Sequence, residues 1–116
     1  MKILEHYKSF DLAGFTYYVG PMLFRKMKVG KKLLLMAEPE NPYDPQAVAI
    51  YFKDEKIGFV PKGANYSISK LLKCGYDDIF EARIQSIDPA ASPEHQIGVA
   101  VYLKGWNPFE EVVRKL

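Results

Sequence analysis

Residues 38–48 constrain the fold more than any other stretch, because two prolines flank Tyr43 in a polar segment that separates two apolar runs. Pro42 and Pro45 fix their own φ angles, and each disfavours the α conformation in the residue before it. The segment therefore cannot be a helix, and it is predicted to be a rigid loop between two strands. We call residues 38–48 the proline corner.

Three side chains of the proline corner have hydrogen-bonding or stacking capacity: the amide of Asn41, the phenol of Tyr43 and the carboxylate of Asp44. Held together by a rigid loop, they can bind a hydroxyl, an exocyclic amine or the face of a base. In a structural interpretation, Asn41 and Asp44 bond only their own backbone, as these residue types commonly do in turns. Local chemistry alone favours the structural interpretation.

Short apolar or alternating runs, bounded by turn residues, predict a mainly β chain. A first strand is predicted over residues 10–19, with a kink or bulge at Gly14. Residues 46–52 and 56–61 are predicted to pair as a hairpin. The other predicted strands are residues 32–38, 79–87 and 96–104.

One helix has a clear pattern, over residues 63–73, where Ile68, Leu71 and Leu72 recur at helical spacing. Gly75 follows at the position where a C-cap glycine is expected. The sequence therefore predicts that this helix ends just before Gly75.

The remaining segments complete the predicted architecture. Residues 20–31 are predicted to be a loop with a short turn near residues 23–27, and the tail is compatible with a short C-terminal helix after Pro108. The fold class is α+β and mainly β: a small OB- or SH3-like β-barrel of five to six strands, with one helix inserted after the hairpin.

A chain of 116 residues, of which 48% are hydrophobic and 26% charged, is predicted to form a single domain over residues 1–116. No apolar run approaches the length of a membrane span, and the charged N-terminal residues do not resemble a signal peptide. The predicted location is therefore cytoplasmic, with no membrane partner. The sequence does not indicate an oligomeric state.

Metal and cofactor chemistry has little support in the sequence. Cys74 is the only cysteine, which excludes an internal disulfide and a multi-thiolate zinc site, and it is predicted to be a buried or half-buried packing residue. The corner carboxylates Glu38, Glu40 and Asp44 lack a characteristic metal-ligand spacing. We expect no metal, no cofactor and no catalytic residue.

The positive charge is concentrated, although the net charge of the chain is only +2. Five cations fall within eight residues, while much of the acidic charge lies elsewhere in the sequence. One face can therefore be positive even though the whole chain is nearly neutral, which makes this cluster a candidate for nucleic-acid contact. Its members are Arg25, Lys26, Lys28, Lys31 and Lys32.

Four segments in a fixed order resemble the pattern of a HIRAN domain, of the kind found as a free-standing bacterial protein. The resemblance runs from about residue 12 to residue 104, which covers nearly the whole chain. The segments are Gly14-x-x-Tyr17-Tyr18, Leu33-x-Leu35-x-x-Glu38-Pro39-x-Asn41-Pro42-Tyr43-Asp44-x-x-Ala47-Val48, Ile57-Gly58-Phe59-Val60-Pro61 and Leu71-Leu72-x-x-Gly75.

The resemblance implies a non-catalytic module that captures the 3′ end of single-stranded DNA in repair or replication-fork processing. HIRAN domains also occur fused to Swi/Snf-type DNA translocases, so a DNA-processing protein is a second implied partner. The implied pocket is formed by Tyr17, Tyr18, Asn41, Tyr43 and Asp44. The tyrosines stack on the terminal nucleotide, and Asp44 accepts a hydrogen bond from its 3′ hydroxyl and repels a 3′ phosphate.

Two positions depart from the eukaryotic pattern of the family. Thr16 stands where those members carry a basic residue, and Phe59 stands where they carry a histidine, whereas Lys62 is kept as a cation. The five-cation cluster can supply phosphate contacts from another loop. We therefore include Phe59, Lys62 and the cluster among the candidate nucleic-acid-binding residues.

Two other classes of function compete with DNA binding. A protein-interaction barrel would use its tyrosine-rich groove and basic loop to bind an acidic peptide or a partner protein. An enzyme acting on DNA ends would need Asp44 and a second carboxylate to hold a metal ion, and the acidic residues lack that spacing. Binding of a DNA end is the leading hypothesis.

Overall fold

Six strands form one antiparallel sheet in the computed structural model, which describes residues 2–15 and 21–106. Two short α-helices accompany the sheet in this part of the chain. The elements are β1 (Lys2–Asp11), α1 (Pro21–Lys26), β2 (Lys32–Ala37), β3 (Val48–Phe52), β4 (Glu55–Phe59), α2 (Tyr66–Lys73), β5 (Phe80–Ile87) and β6 (Ile97–Trp106). The strand order across the sheet is β1-β6-β5-β2-β3-β4.

The inward face of the sheet follows from the two-residue period of strands. In β2, Leu33 and Leu35 are buried while Leu34 and Met36 are exposed, as alternation across a pleated strand requires. The inward side chains of β2 to β6 form one core with Ile68 of α2, which is fully buried. The predicted fold class is confirmed, as a mainly β, OB-like sheet with few helices.

The first strand is where the sequence prediction is wrong. β1 spans Lys2–Asp11 and pairs with β6 from Lys2↔Trp106 to Asp11↔Gly98, rather than covering residues 10–19. Residues 16–19 of the predicted strand lie outside the described residues. Many side chains of β1 are exposed, so its sequence has only a weak apolar pattern. The position of β1 is determined instead by its pairing with β6 at the other end of the chain.

The sheet curls until its two edge strands almost meet, but it does not close into a complete barrel. Ala13, two residues after β1, forms an isolated antiparallel bridge with Phe59 at the end of β4. The N–H of Ala13 donates to the Phe59 carbonyl at 2.9 Å, and the N–H of Phe59 donates to the Ala13 carbonyl at 2.8 Å. We call this pair of hydrogen bonds the closing bridge.

Gly58 makes the closing bridge sterically feasible. A Cβ atom built on Gly58 would lie 2.3 Å from the Ala13 carbonyl oxygen and 3.0 Å from the Leu12 side chain. Gly58 therefore lies where β4 packs closely against the backbone that follows β1. Only a residue without a side chain allows the two backbones to approach this closely.

The predicted helix over residues 63–73 is confirmed, as a 3-10 turn over Lys62–Ala64 followed by α2. α2 ends in a Schellman motif, in which the N–H of Tyr76 donates to the Leu71 carbonyl at 3.0 Å and the N–H of Gly75 donates to the Leu72 carbonyl at 3.0 Å. Gly75 has a φ angle of +90°, which confirms its predicted role as the C-cap glycine.

Cys74 is exposed, which contradicts the prediction of a buried or half-buried packing residue. It occupies the C-cap of α2, where the chain turns away from the core. The sequence pattern alone did not distinguish Cys74 from the half-buried residues Leu71 and Leu72 in the last turn of α2.

Three other expectations concern segments outside the main sheet. The predicted turn near residues 23–27 is a short helix, α1. The C-terminal helix expected after Pro108 lies outside the described residues. Among residues 2–15 and 21–106, no helix combines the length and the apolar character that crossing a bilayer requires.

Candidate nucleic-acid interface

The proline corner, the end of β4 and the turn before α2 enclose a cavity of about 350 Å³. We call it the corner cavity. Its wall brings together residues from four separate parts of the sequence, including both residues of the closing bridge. The lining residues are Ala13, Asn41, Pro42, Tyr43, Asp44, Ala47, Lys56, Phe59, Val60, Pro61, Lys62 and Asn65.

Asn41 holds the proline corner in shape. Its Oδ1 accepts hydrogen bonds from the backbone N–H groups of Tyr43 at 2.9 Å and Asp44 at 3.2 Å. Its Nδ2 donates to Oε1 of Glu38 at 3.0 Å. The two backbone contacts agree with the structural interpretation for Asn41, whereas the bond to the Glu38 side chain goes beyond it, since that interpretation involved the backbone alone.

Asp44 has one structural contact on each carboxylate oxygen. Oδ1 accepts from the backbone N–H of Gln46 at 2.9 Å, and Oδ2 accepts from Nδ2 of Asn65 at 3.0 Å. The Gln46 N–H, then the Asn65 amide, and to a smaller extent the charges of Lys62 and Lys73, hold the pKa of Asp44 below its ordinary value. Asp44 is therefore ionised at neutral pH.

The carboxylate of Asp44 keeps acceptor capacity for a ligand. An ionised carboxylate has about four lone-pair sites, and the described hydrogen bonds occupy two of them. The side chain is half-buried at the cavity wall. The same group can therefore brace the proline corner and accept a hydrogen bond from a bound hydroxyl.

Asn65 is a site residue that sequence reasoning missed. It is only 4% exposed, and its bond to Asp44 links the residue before α2 to the proline corner. An asparagine just before a helix has an obvious capping interpretation, although its side chain makes no capping bond here. Nothing in the local sequence pairs it with a carboxylate 21 positions earlier.

Aromatic and cationic groups occupy the rest of the cavity wall. Tyr43 is 88% exposed, so its ring is available to a ligand. The Phe59 ring is half-buried, and Nζ of Lys56 lies 4.7 Å from its centroid. Lys56 also forms a 2.6 Å ion pair with Glu38, a contact that the sequence analysis did not anticipate. Lys62 is exposed at the same wall.

The five-cation cluster lies at the other end of β2 from the proline corner. Its last member, Lys32, begins β2, whereas the corner follows the last residue, Ala37. Five strand steps of about 3.3 Å separate these two ends by about 17 Å. None of the five cations belongs to the described wall of the corner cavity, and Nζ of Lys32 lies 3.9 Å from Oε1 of Glu81.

Tyr17 and Tyr18 lie outside the described residues. The described part of the chain ends at Phe15 before them and resumes at residue 21. Ala13, four positions before Tyr17 in the sequence, lines the corner cavity. Within residues 2–15 and 21–106, no group of three or more His, Cys, Asp or Glu side chains is arranged to hold a metal ion.

The bracing role of Asp44 predicts a pH-dependent stability difference between the wild type and Asp44→Asn. A carboxyl group whose folded-state pKa is depressed stabilises the fold fully above its unfolded pKa, and this contribution is lost as the pH falls through the folded-state pKa. The ordinary pKa of this group is 3.8. The stability difference between the wild type and Asp44→Asn should therefore have its full size at pH 7 and should become smaller below about pH 4.

Urea unfolding midpoints at pH 7, 5 and 3 measure this difference. Glu40→Gln is the control, because it neutralises an exposed carboxylate of the same corner. A deficit in Asp44→Asn that stays constant down to pH 3 would contradict the bracing role.

A curled, OB-like sheet with an aromatic and cationic cavity beside a rigid loop defines a small nucleic-acid-binding module. A sequence model of the HIRAN domain matches residues 7–105. This chain belongs to the HIRAN domain family, a family of binding domains. The match includes the second half of β1, residues 7–11, which the resemblance from residue 12 onward left out.

Two solved structures share the fold. A crystal structure of a Lactobacillus plantarum protein is similar with a TM-score of 0.75 and 16% identity, over 91% of this chain and 100% of that chain. The crystal structure of the HIRAN domain of human HLTF is similar with a TM-score of 0.68 and 16% identity, over 97% of this chain and 86% of that chain. A comparison with curated proteins gives no significant match.

Proposed function

We propose that this chain is a non-catalytic module that captures the free 3′ end of single-stranded DNA in the corner cavity. The observation that carries the proposal is the ionised carboxylate of Asp44, held by two hydrogen bonds at a wall that also carries aromatic rings. We place this activity in DNA repair or replication-fork processing in the cytoplasm, with a DNA-processing protein as the second partner.

Asp44 gives the site its preference for a hydroxyl. The 3′ hydroxyl donates a hydrogen bond to the carboxylate, and this bond is stronger than a neutral one because the acceptor is charged. A 3′ phosphate brings a second negative charge to the same place, where like charges repel. The neighbouring cations Lys56 and Lys62 balance the charge of the incoming strand without removing this preference.

The aromatic groups hold the terminal nucleotide. Tyr43 and Phe59 line the cavity, and the family resemblance adds Tyr17 and Tyr18 to the same set. Stacking on an aromatic ring accepts any base, because each base has a π face. The module therefore recognises an end rather than a sequence, while Asn41 keeps the loop in its binding shape.

Fluorescence of a base analogue at the terminal nucleotide tests the proposal directly. Oligonucleotides with a free 3′ hydroxyl, a 3′ phosphate and an internal analogue are titrated with the protein. We expect the 3′-hydroxyl strand to bind at least tenfold more tightly than the other two. Equal affinities would exclude end capture, and a barrel that binds acidic peptides would give no such preference.

The five-cation cluster is proposed to attract the strand by its charge, at a distance from the cavity. The triple variant Arg25→Glu, Lys28→Glu and Lys31→Glu is expected to weaken binding to all sequences alike. If each cation neutralises one phosphate of a single strand, the slope of log affinity against log salt should fall by about 2. Fluorescence anisotropy between 50 and 300 mM salt measures this slope.

The charge-conserving triple Arg25→Lys, Lys28→Arg and Lys31→Arg is the matched control, and it should bind as the wild type does. If the glutamate triple also binds as the wild type does, the cluster is a solvated surface without a role in binding.

A further inference from the structure

The outward face of α2 carries an aromatic ring and two cations in a row. Tyr66, Lys70 and Lys73 are spaced four and three residues apart, so they lie on one side of the helix. The opposite side carries Ile68, which is fully buried. We call the exposed row Tyr66, Lys70 and Lys73 the α2 ridge.

The α2 ridge adjoins the corner cavity at its first end and contacts the proline corner at its other end. Tyr66 directly follows Asn65, which lines the cavity and binds Asp44. At the other end, Nζ of Lys73 donates to Oε1 of Gln46 at 3.1 Å and to the Pro45 carbonyl at 3.4 Å, both in the proline corner. The ridge is therefore continuous with the cavity rather than a separate patch.

The ridge carries positive charge that is not held in close ion pairs within the described part of the chain. α2 contains no acidic residue, and among the described residues neither Lys70 nor Lys73 takes part in an ion pair. Lys62, one helical turn before Tyr66, extends the same sign of charge to the cavity wall. Such a row favours a polyanion, because phosphates can replace the counterions that the lysines otherwise hold.

Tyr66 distinguishes the ridge from an ordinary solvated helix face. Its side chain is 62% exposed, and Nζ of Lys70 lies 5.6 Å from its ring centroid. An exposed ring among cations provides stacking for a base and charge for the adjoining phosphate, which is the combination that single-strand binding surfaces use. Lysines alone would not have suggested a base-binding surface.

We infer that the α2 ridge is the path by which single-stranded nucleic acid leaves the corner cavity. This inference rests on the proposed function, and it adds a second base-stacking position on Tyr66 and phosphate contacts to Lys70 and Lys73. The helix rises about 1.5 Å per residue, so the ridge continues the site by about 12 Å beyond Asn65. The site therefore takes several nucleotides of a strand rather than an isolated terminal nucleotide.

The test compares a thymidine dinucleotide, which fills the cavity only, with a thymidine decamer, both with a free 3′ hydroxyl. The variant Lys70→Glu/Lys73→Glu should lose at least about tenfold in decamer affinity at 50 mM salt, and its salt slope should fall by about 1.4 for two lost phosphate contacts. The single variant Lys70→Glu keeps the Lys73 contacts with the proline corner, so its affinity for the dinucleotide should change by less than about threefold. The control Lys53→Glu/Lys104→Glu makes the same charge change at exposed positions elsewhere.

Tyr66 is tested separately, because its substitution leaves the charge unchanged. Tyr66→Ala should lose about fivefold or more in decamer affinity, while Tyr66→Phe should retain it because the ring is kept. Circular dichroism verifies that each variant is folded.

The outcomes separate this inference from the proposed function. If both ridge variants bind the decamer as the charge control does, while the wild type still prefers a 3′ hydroxyl, the path is wrong and end capture stands. If the wild type shows no end preference but the ridge variants still lose decamer affinity, the ridge is a binding surface and end capture fails. If the wild type does not bind the decamer, both are overturned.

Discussion

Gly58→Val is expected to lower the free energy of unfolding by about 3 kcal/mol, since overpacking of a well-packed site typically costs 1–3 kcal/mol and here the obstacle is backbone. A Cβ atom at this position would lie 2.3 Å from the Ala13 carbonyl oxygen, an acceptor of the closing bridge. Leu12, the second neighbour, is 1% exposed and cannot move into solvent. The strain is relieved only by separating the two backbones.

Thermal unfolding measures the effect, with an expected fall in melting temperature of about 10 °C or more. The matched pair is Gly58→Ala and Gly63→Ala, because a Cβ atom on Gly63 has no neighbour within 4 Å. Gly63→Ala should stay within about 0.5 kcal/mol of the wild type. Equal melting temperatures for the wild type and Gly58→Val would contradict the close approach of β4 to Ala13.

Asp44→Ala is expected to lower the affinity for a 3′-hydroxyl oligonucleotide by about tenfold or more. A hydrogen bond to a charged acceptor contributes about 1.5–3 kcal/mol, and every 1.4 kcal/mol corresponds to a factor of ten. The variant should also lose most of its discrimination between 3′-hydroxyl and 3′-phosphate ends, because the acceptor and the repelling charge disappear together. The same fluorescence titration measures both effects.

Tyr43→Ala is the contrasting variant for this prediction. Its ring is 88% exposed, so its removal should leave the fold intact and weaken both kinds of end alike, by about 1–3 kcal/mol through lost stacking. If Asp44→Ala keeps the end preference of the wild type, the carboxylate serves the proline corner alone.

The structure adds a condition to the Asp44→Ala experiment. Removal of the carboxylate leaves the amide of Asn65 without its acceptor, and Asn65 is only 4% exposed. An unsatisfied buried donor costs about 1–3 kcal/mol, so some loss of stability is expected along with the loss of binding. Affinities are therefore compared at a temperature where unfolding curves show that both proteins are folded.

Local patterns predicted the middle of the chain well, because each element there has its signal within its own residues. β2 is a near-continuous apolar run, β3 and β4 form a hairpin, and Gly75 marks the end of α2. β1 was missed because its partner β6 lies at the other end of the chain. No short window of sequence contains that pairing.

Some features of the candidate site were likewise predicted from local sequence, and others were not. Proline chemistry predicted a rigid corner, and the backbone bonds of Asn41 agree with it. The bond between Asp44 and Asn65 and the ion pair between Lys56 and Glu38 join different elements, so they required the tertiary structure. The cationic residues next to the cavity, Lys56 and Lys62, are likewise brought there by the fold rather than by clustering in the sequence.

The closing bridge has a consequence for the internal motion of this domain. Ala13 and Phe59 are both cavity-lining residues, and two hydrogen bonds join them where continuous strand ladders join the neighbouring strands. At about 0.5–1.5 kcal/mol for each bond, parting the bridge needs far less free energy than global unfolding, which requires about 5–15 kcal/mol. The amide protons of Ala13 and Phe59 should therefore exchange with solvent through local opening, while the β5–β6 ladder stays protected. The closing bridge can therefore open beside the cavity and widen its entrance for a ligand while the core stays folded.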